Sequence, residues 1–528
     1  MRFHCRFVRT AVAFLVLATP VLLVSGRLER SHTSSDRLID DIRYLTSPSL
    51  RGRGTGSSGL TKAADYISAQ FARAGLKPLG GASYLQTFAV TTGAKLGPGN
   101  TLVWKRGDQV HALELGADFE PFAFSSSGSL SGTPVFAGYG VTACEYGYDD
   151  YAGIDVRGRI AVILKHEPQE YDSASPFEGR VYTEHSQIYK KLLNARAHGA
   201  KAVLLVNDTA NHSGPDALEK LTELPSPGGA GLISAGLRAD VAEEWFAGTG
   251  KSLASIEENI DRRLEPESFE FPEDLRIEWH AHVESTEKQV ANVVGYLPGE
   301  TQEYVIAGAH YDHLGTGEQF SLAPAGAGMI HPGADDNASG TAAVLALARW
   351  FGAQPKLHRG IVFAAFAGEE IGLLGSTRFT DSPALPLKNA VAMINMDMIG
   401  RMRERSLMVG GVASGDGLRE IVETAARDFP FELQMSGQAV YGSSDHTAFT
   451  SHEIPVLFFF TGLHPDYHRP TDTVDKIDGR NTALIADLAG SVVRSLAQSA
   501  SRPAFHYMNG KKGCTAGTLP HTRDESDR

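Results

Sequence analysis

"HPGADDNASGTAAVLALARWF" (residues 331–351) decides how the chain is read. Its first half is a glycine-bearing loop with two adjacent aspartates, Asp335 and Asp336, and no neighbouring cation. Its second half sets Val344, Leu347, Ala348 and Phe351 on one face of a helix. Adjacent anions repel. They are tolerated in an exposed turn, where Asp, Asn and Gly satisfy local backbone groups, or where a metal supplies the missing positive charge. The flanking segments decide between these readings.

Working outward, "YVIAGAH" (304–310) is a buried strand, as are "GIVFAAFA" (360–367), "AVAMINMDMIG" (390–400) and "IPVLFFFTG" (454–462). "TALIADLAGSVVRSLAQSA" (482–500) is a closing helix. Strands alternating with helices predict an α/β fold, a mostly parallel sheet with helices on both faces. Residues 36–80 read as helical with a glycine-rich break at "LRGRGTGSSG". From about 125 to 265 the texture changes. "GTPVFAGYGV", "GRIAVILKHEP" and the helix–turn–strand "QIYKKLLNARAHGAKAVLLVND" (187–208) describe a smaller inserted module. Residues 266–287 read as a polar extended return, and 501–528 as a disordered polar tail.

Composition narrows the function. The net charge of −13 excludes a general nucleic-acid binder, which needs a basic face. "MRFHCRFVRT" followed by "AVAFLVLATPVLLV" and small residues reads as a signal peptide over residues 1–26. Its removal takes away three arginines and moves the charge to about −16. The apolar run is shorter than the roughly 20 residues of a membrane span, so no stable span is expected. The chain is expected to be secreted or periplasmic, with a signal anchor as the alternative. Of the three cysteines, Cys5 lies in the leader and Cys514 in the tail, and Cys144 is expected buried and alone. A metal site must therefore be built from His and carboxylates.

Those residues recur at the carboxyl ends of the strands, where open α/β sheets bind ligands. "AGAHYDHLG" carries His310 and Asp312, "GADDN" the aspartate pair, and "FAGEEIG" Glu369 and Glu370. "INMDMIGR" carries Asp397, and "HPDYHRPTDT" Tyr467, His468 and Asp472. Singly, each is an ordinary loop residue. Asp397 is the exception, because a carboxylate in an apolar run is costly without a partner.

As an ordered set, "HYD", "PGADDNASG", "GEE", "NMDMIG" and "YHRPTDT" resemble the co-catalytic di-zinc peptidases of the M28 type. Residues 125–265 resemble the protease-associated (PA) domain often inserted in that family. The resemblance implies a zinc-exopeptidase, phosphorylase/hydrolase-like catalytic domain over 288–500, with residues 31–124 as its N-terminal part. It implies two Zn2+ per chain: Asp336 bridging, His310 and Asp397 on the first ion, Glu370 and His468 on the second. It also implies a cis peptide between Asp336 and Asn337. Glu369 would be the general base and Tyr467 an oxyanion donor. Asp312 would support His310, and Asp472 would support His468. His313 is read as a non-ligand by strand parity, Asp335 as a supporting or turn residue, and Asp445 and His446 as supporting residues. The implied activity is an aminopeptidase acting on peptides with a free N-terminus. A carboxypeptidase of the same family, with Arg401, Arg403 and Arg405 as a candidate carboxylate cluster, is the alternative. A glutaminyl-cyclase-like activity would need one zinc, and an inactive receptor or scaffold would have lost ligands. Oligomeric state stays open.

Overall fold

The computed structural model describes residues 32–506, apart from 80, 144–145, 178, 180–182, 213, 219–229, 318–320, 324–327 and 438–443. The leader, the three cysteines and the tail from 507 onward lie outside the described residues.

The expected strands form the middle of a nine-stranded sheet. Gly360–Phe366, Tyr304–His310, Ala390–Met396 and Val456–Phe460 lie side by side and run parallel. All but Phe460 are buried along their lengths. Antiparallel strands flank this centre: Val283–Leu297 beyond Gly360–Phe366, and Ser406–Gly410 beyond Val456–Phe460. Strand parity sorts the side chains into two layers. Val305, Ala307 and Ala309 pack under the helices Ser35–Leu45, Ser58–Arg73, Gly340–Gly352 and Gly479–Gln498. Tyr304 and Ile306 meet Phe379 and Phe449 of the helices Leu374–Asp381 and His446–Thr450 on the other side. Helices thus cover both faces, as the sequence predicts. Three of them start on side-chain caps: Ser34, Ser57 and Asp478 accept from backbone N–H groups of the first turn.

A second sheet of six strands is built around Pro134–Phe136, Ile160–Leu164, Ala202–Val206 and Ile233–Leu237, all parallel. A four-stranded antiparallel sheet joins it: Gln109–Ala112, Thr101–Arg106, Leu275–Ala281 and Gly128–Gly132. Its Leu102, Trp104, Ile277 and Trp279 share one core with Phe136, Ile160 and Leu204 of the six-stranded sheet. The polar return read at 266–287 is therefore strand, burying alternate residues Leu275, Ile277, Trp279 and Ala281. Among the described residues, no helix is long and apolar enough to cross a membrane.

Candidate metal centre and substrate pocket

The aspartate-pair loop enters the helix Gly340–Gly352 through an irregular turn, Ala334–Ser339, containing a cis bond between Asp336 and Asn337. Gly333 begins the turn at φ +59, and a Cβ there would sit 2.2 Å from the Asp336 carbonyl oxygen and 2.5 Å from the His313 ring. Only glycine fits. The Asn337 side chain braces the turn against the next strand exit. It donates to the Met396 carbonyl (3.0 Å) and accepts from the backbone N–H of Met398 (3.3 Å) and Gly340 (2.9 Å). Asp336 and Asp397 are thereby brought to one edge.

Asp336 lies between two imidazoles. Its Oδ1 is 3.3 Å from His310 Nε2, and its Oδ2 is 3.2 Å from His468 Nε2. His310 Nε2 is also 3.3 Å from Asp397 Oδ1, and His468 Nε2 is 3.0 Å from Glu370 Oε2. Two adjoining clusters share Asp336: His310–Asp336–Asp397, and His313–Asp336–Glu370 with His468 beside it. Glu369 faces the first, its Oε2 3.9 Å from His310 Nε2.

The electrostatics are those of an anionic pocket. Burial works against a charged His310, but Asp397, Glu369, Asp312 and Asp336 hold its pKa well above the usual imidazole value. His468 is likewise opposed by burial and raised to about 11 by Glu370 and Asp336. Burial pushes Glu369 well up, and the charges of Asp397, Glu370 and Asp445 add to it. Tyr467, stacked on His468 with centroids 3.8 Å apart, is raised by burial and by Asp336 and Glu370. Two dications set among these atoms would replace the protons that the imidazoles otherwise need, and the donor types are those zinc takes. The residues fit a pair of metal ions.

The surrounding residues partly differ from expectation. Asp312 stands beside His310, with its backbone carbonyl 3.3 Å and its Oδ1 3.7 Å from the ring Nδ1. Its carboxylate also accepts from the Glu369 backbone N–H (3.1 Å) and from Thr55 Oγ1 (3.1 Å). Asp472, expected beside His468, accepts from the backbone N–H groups of Asp335 (3.0 Å) and Asp336 (3.1 Å), so it holds the loop. Asp335 accepts from the Gly400 N–H (2.6 Å) and lies 3.2 Å from His464 Nε2. Asp445 is buried close enough to add charge at Glu369, while His446 stacks on Phe458.

His313 departs most from its reading. Its Nδ1 is 2.5 Å from Glu370 Oε1 and 3.8 Å from Asp336 Oδ2. Strand parity does not reach His313, because the strand ends at His310 and His313 bridges to Gly54 instead. Two further residues carried no local signal. Ser444 donates to Asp397 Oδ2 (2.7 Å). Arg53, fully buried in the glycine-rich break, donates to the carbonyls of Leu45, Tyr311, Pro332 and Gly333. Burial lowers its pKa to about 10, and Asp312 and Asp336 oppose the shift.

The clusters open into a cavity of about 570 Å³. Met398, Met408, Phe458, Phe460 and Leu463 give it an apolar wall, and Glu369, Tyr467 and Gln187 of the inserted module also line it.

The Peptidase family M28 model matches residues 292–493, which carry every residue of the two clusters. The chain carries a family M28 peptidase domain. The PA domain model matches residues 130–244, within the second sheet. Aminopeptidase YwaD of Bacillus subtilis is 26% identical over 393 residues, 71% of each chain. A probable leucine aminopeptidase of Arthroderma otae is 28% identical over 191 residues, covering 34% of this chain and 51% of that one. The solved aminopeptidase from Aneurinibacillus sp. strain AM-1 superposes with a TM-score of 0.50 at 23% identity, over 89% of this chain and 96% of that one. This likeness shows a fold shared over most of the chain.

Proposed function

We propose that the chain is an exported di-zinc aminopeptidase. One observation carries the reading: the two oxygens of Asp336 face the imidazoles of two adjoining clusters, as a carboxylate bridging two ions would. His310 and Asp397 would complete one zinc site, and Glu370 and His468 the other. Three protein ligands per ion leave each with an open position. The related aminopeptidases support the activity, and residues 1–26 support export. We take residues 31–124 and 288–500 as the peptidase unit and 125–265 as the insert.

When bound, the zinc pair supplies Lewis acidity that lowers the pKa of water and polarises a carbonyl. The chain's own residues do the rest. Glu369 takes the proton of the attacking water and passes it to the leaving amine. Tyr467 donates its O–H to the oxygen that becomes negative. The acidic edge attracts a substrate ammonium, and the apolar wall accepts an apolar N-terminal side chain. A carboxypeptidase would need free guanidinium groups at the pocket. Arg401 instead pairs with Asp466, and Arg403 and Arg405 donate to the carbonyls of Leu463 and Pro430.

The deciding experiment measures metal content and the hydrolysis of leucyl-nitroanilide against an N-blocked analogue, for wild type and Glu369→Ala. About two zincs in the peptidase site, cleavage of the free amine only, and loss of rate with metal retained are expected. Cleavage confined to the N-blocked substrate would mark a carboxypeptidase. No metal and no hydrolysis would leave a scaffold.

A further inference from the structure

The second sheet carries a cluster that the peptidase chemistry does not use. The strands Ile160–Leu164 and Ala202–Val206 are parallel neighbours, with Leu164 opposite Val206. Each continues into a loop at its carboxyl end. Two residues beyond the register pair, His166 and Asp208 stand side by side, with Nδ1 2.7 Å from Oδ1. One loop turn further, Glu170 and His212 meet, with Oε1 2.6 Å from Nε2. The two imidazoles lie 4.0 Å apart between centroids. One nitrogen from each histidine and one oxygen from each carboxylate all lie within 4.8 Å of one another.

We propose that His166, Glu170, Asp208 and His212 form a third, structural metal site in the inserted module, for a divalent transition ion of the zinc class. Four donors are the complement of a closed structural zinc site, and a tetrahedron with bonds near 2 Å separates its ligands by about 3.3 Å. The observed separations of 2.6, 2.7 and 3.9 Å bracket that value. Two imidazoles disfavour calcium and magnesium, which take oxygen ligands. Two carboxylates neutralise the ion.

A second, independent feature points into the same space. Asp208 is fully buried, and its Oδ2, 3.9 Å from His212 Nε2, has no hydrogen-bond partner among the described residues. A carboxylate oxygen left this way is costly unless something polar meets it. The helix Leu253–Arg263 holds both loops in place from behind. Asp261 accepts from the Gln169 N–H (2.7 Å) and from Asn211 Nδ2 (2.9 Å), and Glu257 accepts from the Ala210 N–H (2.8 Å). The ligands are thus presented by a rigid frame, as a metal site requires. Bound there, the ion would tie together two loops at one end of the parallel sheet.

The test uses the full chain with the peptidase site emptied by Asp336→Asn and His468→Ala, loaded with zinc, freed of excess and measured for bound metal. One zinc per chain is expected to remain. In that background His212→Ala should abolish it, and His212→Cys, which restores a zinc ligand, should recover it. The zinc-dependent rise in unfolding temperature should follow the same order. No zinc in the emptied background, or zinc unaffected by His212→Ala, would overturn the proposal and leave two close His–carboxylate pairs. Should His212→Ala fail to fold, the metal content of the emptied background decides alone. Failure of the peptidase reading would appear separately, as wild type without hydrolysis.

Discussion

At the scale of single residues, charge and geometry divide the acids at the peptidase site into two roles. Asp336, Glu370 and Asp397 each lie within 3.3 Å of an imidazole nitrogen, whereas Glu369 stands off at 3.9 Å. Glu369→Gln is therefore expected to keep its metal and lose about 10²–10⁴ in kcat, the span of general acid–base catalysis. Equal metal content with unchanged kcat would remove Glu369 from the role. Tyr467→Phe keeps the ring stacked on His468 and removes the donor. It should lower kcat by about 10², with KM nearly unchanged, as expected for a group that binds only the developing oxyanion. A change confined to KM would make Tyr467 a wall of the pocket. Glu369 and Asp397 are legible in sequence because each carboxylate follows an apolar strand. His313 is not, since its position depends on where the strand stops pairing.

At the scale of elements, one buried side chain binds segments that are distant in sequence. Arg359, 2% exposed, donates to Glu303 (2.7 Å) and to the carbonyls of Leu496 (2.8 Å) and Ser499 (2.7 Å). It closes the C-terminal end of the helix Gly479–Gln498 onto the sheet, where unpaired carbonyls need donors. Arg359→Ala should cost about 2 kcal/mol, read as a lower denaturant midpoint with peptidase kinetics intact once folded. A midpoint within error of wild type would contradict the clamp. In the insert, Asp150 accepts from Tyr148 Oη (2.7 Å) and the Val141 N–H (3.0 Å). Burial nonetheless raises its pKa from 3.8 to about 7, against those bonds and nearby Lys191. The folded chain keeps a proton there that the unfolded chain has already released. Its contribution to stability is thus full below about pH 4 and is lost as pH rises to 7. Urea unfolding at pH 5 and 7.5 should show the loss in wild type and a flatter response in Asp150→Asn. Equal slopes would assign the dependence elsewhere. The four-stranded sheet belongs to this scale too. Its alternation at 275–281 is a strand pattern, but its partners lie at 101–106 and 128–132, beyond the reach of any local signal.

At the scale of the whole molecule, metal should govern stability as well as chemistry. Carboxylates and imidazoles gathered in one buried site bind an ion in the folded state only, so binding adds to stability by mass action. At free zinc about 1,000-fold above Kd, each site contributes about 4 kcal/mol. Chelation should therefore lower the unfolding temperature reversibly, and zinc should restore it. An unfolding temperature indifferent to chelator would show that no ion is held. Much of this was determined by the sequence alone. The apolar strands at 304, 360, 390 and 456 and their intervening helices have periodicities set by neighbours a few residues apart, and the His and acidic residues at their exits are visible wherever those strands end. Tertiary structure alone decided the rest: that Asn337 locks the aspartate loop to Met396, that Arg53 and Ser444 serve the site, and that His166 meets Asp208. Those contacts join segments between 42 and 280 positions apart, and distance along a chain becomes proximity only when the sheet sets the register.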